Sequence, residues 1–256
     1  MIAIGTSGFS YEDWVGPVYP EGLPERDRLS FYAREFSTVE LNVTYYRVPD
    51  QWIVEGWVRK SPDGFLFSVK AHQGLTHERE QPDFAGFVAA LGPLVEAGRL
   101  GCVLAQFPNS FRASAENRDY LKRVREGLGG LPVVVEFRNA AWVSEGTFDL
   151  LRTLGLGFCC VDEPRLQGLM PPLAVATGSV GYVRFHGRNA AKWYNHKEAW
   201  ERYDYTYSGE ELKEWLPRLR RLDSQAQTTL VYFNNHFQGQ AIRGARDLKQ
   251  LLLGLE

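Results

Sequence analysis

Two motifs with acid–base groups two residues apart carry the first chemical signal: Glu136 with Arg138 in VVVEFR, and Arg184 with His186 in YVRFHGR. A carboxylate or an imidazole beside guanidinium groups can be tuned toward neutral pH, which suits general acid–base chemistry. Glu136 and His186 are therefore the leading catalytic candidates, with Glu40 and Asp162 behind them. Arg138, Arg184 and Lys70 could hold an anion, the arginines through two-pronged contacts. Glu40, Glu136 and Asp162 set three acids against the three bases Lys70, Arg138 and Arg184, and His186 and Arg188 tip the balance toward positive. This predicts a cation-lined pocket for a small anionic or phosphorylated ligand, sugar-like or nucleotide-like. No cofactor is expected for that chemistry.

A second reading uses the same residues differently. Glu136, Asp162, His186 and His236 could ligate a divalent metal, with Glu40 nearby, for phosphodiester hydrolysis on nucleic acid. Metal-dependent apurinic endonucleases share the fold argued below, so part of this reading is analogy. Against it, Arg138 and Arg184 lie in the same strands as the ligands, and the sequence has no His-x-His or Glu-x-x-His pair. The formal net charge of −2 also gives a nucleic-acid backbone little to grip. A third reading is a non-catalytic small-molecule-binding protein.

The elements that must position these groups alternate along the chain. IAIGTSG, TVELNVTYY, GFLFSVKAH, LGCVLAQF, LPVVVEFR, LGFCCVD, VGYVRFHG and TTLVYFNNH read as strands. Helical patterns follow them, among them SAENRDYLKRVREGL with Ser114 as the expected N-cap. The helix signal after LGFCCVD is weak, and the connection at 164–172 is Pro-rich. Eight strand–helix units imply parallel strands with right-handed crossovers, and in 256 residues they predict one (β/α)8 TIM-type barrel spanning 1–256. No linker or low-complexity tract divides the chain.

In a barrel the outer strand face must be apolar, so the polar alternation points inward, toward the carboxyl ends where barrel enzymes place their sites. Besides the charged set it offers Asn42, His72, Gln106, Tyr232, Asn234 and Asn235 for substrate contact. Tyr45, Trp142 and Trp193 are expected as aromatic walls for a sugar or a base. Mutually satisfied salt bridges would use the same ions, but eight polar strand ends at one level exceed what stability needs. The backbone of GTSGFS and the NNH segment at 234–236 are further expected anion sites.

Three cysteines form no disulfide framework, and Cys159 and Cys160 lie in an apolar run, as buried free thiols would. The N-terminus reads as a first strand, and no apolar window reaches about 18 residues, so no membrane is expected and the location is expected to be cytoplasmic.

Taken together, GTSGFSYEDWVGPVYP, VELNVTYY, FSVKAHQGLTH, VVEFRNAAW, YVRFHGR, RYDYTYS and VYFNNHFQGQA resemble the domain-of-unknown-function-72 family, also called YecE-like proteins. The resemblance covers nearly the whole chain and implies a TIM-type barrel. It carries over no reaction and no catalytic residue. Phe9 stands where the family pattern favours Trp, and Leu75 where it favours Ile; neither change is chemical.

Overall fold

The computed structural model describes residues 1–254. Eight parallel strands form its centre: β1 (Ile2–Thr6), β2 (Thr38–Leu41), β3 (Leu66–Lys70), β4 (Leu100–Gln106), β5 (Val133–Glu136), β6 (Gly157–Asp162), β7 (Val180–Phe185) and β8 (Thr228–Phe233). Their hydrogen-bonded order runs β1-β8-β7-β6-β5-β4-β3-β2. The two ends of that order meet through a bridge between Ser7 and Glu40, where Gly8 N donates to Glu40 O at 2.7 Å. This near-closed barrel is the TIM-type fold that the strand count predicts. Gly5 is needed at the seam, because a Cβ there would run into the carbonyl oxygen of Thr38.

The helices are α1 (Arg28–Tyr32), α2 (Val43–Tyr46), α3 (Gln51–Arg59), α4 (Phe84–Ala90), α5 (Gly92–Glu96), α6 (Ala115–Gly127), α7 (Glu145–Leu154), α8 (Gly209–Lys213), α9 (Leu216–Gln225) and α10 (Gln240–Leu253). Ser114 caps α6 as expected, its Oγ accepting from Asn117 N at 3.2 Å. Ser208 does the same for α8, in a capping box closed by Glu211. The segment joining β6 to β7 holds no helix. Pro164, Pro171 and Pro172 remove donors there, and Gly168 takes a positive φ of 86°. Among the described residues no helix is long and apolar enough to cross a membrane.

Val39, Leu41, Phe67, Val69, Val133 and Val135 are buried beneath the helices, while Glu40, Ser68 and Glu136 alternate with them and face inward. One strand corrects the expected inward pattern. Asp162 pairs in register with Phe185, whose ring packs outward on Trp215 and Phe233. Its carboxylate accepts from Trp215 Nε1 at 2.6 Å, from Tyr207 Oη at 2.9 Å and from Arg188 Nε and Nη2 at 2.8 Å each. Arg188 is shared with Glu214, so it too turns away from the barrel mouth. Asp162 therefore ties β6 to the loop after β7, through Arg188 and Tyr207, and to the junction of α8 and α9, through Trp215.

Removing that carboxylate strands a partly buried guanidinium and two buried donors. Asp162→Ala should lower stability by about 3–5 kcal/mol, read as a fall in the urea midpoint. An unchanged midpoint would contradict this structural role.

Candidate functional site

Arg184, near the carboxyl end of the inward face of β7, is buried and surrounded by acceptors. Its Nε and Nη2 donate to the two oxygens of Glu40 at 2.9 and 2.7 Å, and Nη1 donates to Glu136 Oε2 at 2.7 Å. Tyr182 Oη adds a third donor to Glu40 at 2.7 Å. Burial alone would raise the Glu40 carboxyl, but the charge and hydrogen bonds of Arg184 hold it below the ordinary range. Glu136 lies well below it: burial is outweighed by Arg138 and Arg184 together.

His186 Nε2 lies 3.1 Å from Glu136 Oε1, and Asn234 Nδ2 lies 3.1 Å from His186 Nδ1. An amide nitrogen only donates, so Nδ1 accepts and the ring proton sits on Nε2, directed at Glu136. Burial first, and then Arg138, push the imidazole down to about 3, so it is neutral at pH 7. Both ring nitrogens are thus occupied. Glu40, Glu136 and His186, three of the expected catalytic groups, are locked into a scaffold.

Above this scaffold opens a cavity of about 620 Å³ at the carboxyl ends of the strands. Lys70, Arg138, Asn42, Gln106 and Asn234 line its polar side, with an edge of Arg184 and the exposed Glu25; Phe9, Tyr11, Tyr46, Trp57, Tyr203 and His236 form its walls. Arg138 Nε forms an ion pair with Glu136 Oε1 at 2.8 Å without hydrogen-bond alignment. Its two terminal nitrogens have no partner among the described residues. Lys70 Nζ lies 4.4 Å from the centroid of the Tyr45 ring and has no carboxylate within 4 Å among the described residues. Burial, and then the charge of Arg184, lower its ammonium to about 8.

The remaining expected contacts fall elsewhere. Tyr45 backs Lys70 but does not line the cavity; its neighbour Tyr46 does. Trp142 is a core residue, stacked on Phe137 at 4.3 Å and donating Nε1 to Phe111 O at 2.7 Å. Trp193 is buried behind His186, with Arg202 over its ring. Tyr232 lies deeper in the barrel, bonded to Thr38 and Ser68. His72 accepts from Gly74 N, and Asn235 donates to Tyr205 O. Of the GTSGFS amides, those of Thr6, Ser7 and Gly8 are spent on Tyr32, Phe233 and Glu40, while Gly8, Phe9 and Ser10 themselves line the cavity; Asp13 occupies Gln238 N ahead of α10.

Of the four expected metal ligands only Glu136 and His186 meet. Asp162 faces outward, and His236 stacks on Tyr11 at 4.5 Å, while Glu136 is held by arginines. Among the described residues no group of three or more His, Cys, Asp or Glu side chains could hold a metal ion.

The family model described as "Protein of unknown function DUF72" matches residues 3–255. The chain belongs to this family. UPF0759 protein YunF of Bacillus subtilis is 33% identical, over 98% of this chain and 95% of its own length. UPF0759 protein YecE of Escherichia coli K12 is 32% identical over 43% of this chain and 39% of its own. A crystal structure of a DUF72 family protein from Thermotoga maritima matches with a TM-score of 0.91 and 41% identity, covering 99% of both chains. Another, from Enterococcus faecalis, has a TM-score of 0.88 at 26% identity, covering 99% of this chain and 96% of that one.

One buried carboxyl of this DUF72 chain lies outside the set its sequence predicts. Glu163 is buried, its Oε1 accepts from Met170 N at 2.7 Å, and its Oε2 has no partner. Burial raises its carboxyl to about 7, opposed by Arg138. Strand parity could have found it, since Asp162 on the outer face turns its neighbour inward.

A carboxyl raised on folding ionises first in the unfolded chain, so stability falls as pH rises from the ordinary 4.5 to about 7. Glu163→Gln keeps the acceptor for Met170 N and removes the titration. Urea unfolding at pH 5 and pH 8 should show the variant gaining on the parent with rising pH, by up to about 3 kcal/mol. The same difference at both pH values would contradict the assignment.

Proposed function

We propose that this protein is an enzyme that binds a small anionic ligand in the barrel mouth, a phosphorylated sugar-like or nucleotide-like compound, and acts on it by acid–base chemistry at Lys70. The observation that carries this reading is an unbalanced pair of cations. At the floor of the cavity three cations, Lys70, Arg138 and Arg184, face two ionised carboxylates, Glu40 and Glu136, and Arg184 takes most of what those carboxylates offer; Glu25, the other acid of the lining, is solvent-exposed. Glu163 adds only a part-ionised carboxyl near Arg138. Lys70 and the open fork of Arg138 remain, desolvated enough to favour an incoming anion.

The aromatic walls supply faces for a ring, and Asn42, Gln106 and Asn234 supply polar contacts. An ammonium near pH 8 exchanges its proton close to neutrality, which the locked Glu136–His186 pair cannot do. Those two groups position the arginines. No observation favours the metal-dependent reading.

Thermal unfolding with inorganic phosphate, sugar phosphates, nucleoside monophosphates and Mn²⁺ tests this. A ligand at about a hundred times its Kd adds about 2.7 kcal/mol, a rise of about 5–10 °C at this chain length. The rise should occur with phosphorylated compounds and vanish in Lys70→Met and Arg138→Met. Lys70→Met, relieved of a desolvated cation, should itself be no less stable at pH 7. An equal rise in both variants, or a rise with Mn²⁺ alone, would overturn the proposal.

A further inference from the structure

We propose that Lys70 acts as a covalent nucleophile, condensing with the carbonyl carbon of a small hydroxy-aldehyde or hydroxy-ketone whose anionic group rests on Arg138. This rests on the anion-pocket reading and names the substrate class of that site.

Four observations converge on it. Lys70 is the last residue of β3, so its side chain springs from a rigid element into the cavity. The carboxylates nearest to it are committed, Glu40 to Arg184 and Tyr182, Glu136 to Arg184, Arg138 and His186. No acceptor within hydrogen-bond distance therefore holds a proton on Nζ; the face of Tyr45 and the charges of Glu136 and Glu40 favour the ammonium, but burial and two guanidinium groups outweigh them. Lastly, Asn42 lines the same cavity with its Oδ1 buried and unpartnered, an acceptor awaiting a hydroxyl. Gln106 Oε1 can serve likewise, since its Nε2 is spent on Phe107 O.

The step balances without a redox partner. Neutral Nζ attacks the carbonyl carbon and forms a C–N bond, while one amine proton passes to the carbonyl oxygen. The resulting hydroxyl leaves as water with a proton from solvent, giving a protonated imine, and hydrolysis reverses the sequence. The imine keeps one positive charge at Nζ and withdraws electrons from the neighbouring carbon, as bond cleavage or isomerisation beside a carbonyl requires. An ammonium lowered from 10.5 to about 8 carries about two orders of magnitude more free amine at pH 7 than an ordinary lysine.

The test uses the full chain, dihydroxyacetone phosphate as probe, sodium cyanoborohydride to trap the imine, and peptide mass spectrometry to locate it. Lys70 should be modified about tenfold or more faster than any other lysine, with suppression by inorganic phosphate, loss in Lys70→Arg and a marked decrease in Arg138→Met. Thermal stabilisation by phosphate without a Lys70 adduct would overturn the imine while leaving the anion pocket standing. A Lys70 adduct that phosphate does not suppress would support the nucleophile and overturn Arg138 as the anion holder. Neither stabilisation nor adduct, or adducts spread evenly over exposed lysines, would overturn the inference.

Discussion

The structure turns on one buried guanidinium. Arg184 gives three of its N–H groups to Glu40 and Glu136, inside a barrel where all three side chains are buried. Such an arrangement holds only if every charge is answered, since an ion left alone there costs several kcal/mol. The requirement fixes the carboxyl ends of β2, β5 and β7 relative to one another. Through Glu136 it also fixes the tautomer of His186 and the approach of Arg138.

The same constraint decides which groups are left for a ligand. Carboxylates consumed by Arg184 offset the charge of Lys70 only in part, and Lys70 stands at the rim of the network with the Tyr45 ring as its close partner. A barrel evolved for stability alone would do better with an apolar side chain at that position. The desolvated lysine is thus the feature that stability does not account for. An anion in the cavity would complete the charge balance that the fold leaves open, at the face where barrels of this kind carry their chemistry.

Much of this was legible in the sequence because a strand's side chains alternate with a period of two. Once the outer face is apolar, Glu40, Lys70, Glu136, Arg138 and Arg184 have nowhere to point but inward. Who pairs with whom was not legible, since pairing depends on the stagger between strands that lie far apart in the chain. At the end of β6 two adjacent acids made the parity ambiguous, and Trp215 and Tyr207 settle it by drawing Asp162 outward. The loop aromatics were harder still. Trp142 and Tyr46 are both large aromatics beside strand ends, yet one fills the core and the other walls the cavity, a difference set by the packing partners of Trp142, Phe111 and Phe137. The missing helix after β6 follows from prolines whose effect is local and readable.

The most direct measurement is a titration of Lys70 itself, by carbon-detected NMR of the isotope-labelled Cε with the resonance assigned through Lys70→Arg. If the mouth holds an unanswered cation, Lys70 should titrate near 8 in the free protein, well below its ordinary 10.5, and move upward when phosphate is added. A Lys70 that titrates at the ordinary value and ignores phosphate would show that the charge is already balanced, and the account of the site would fall with it.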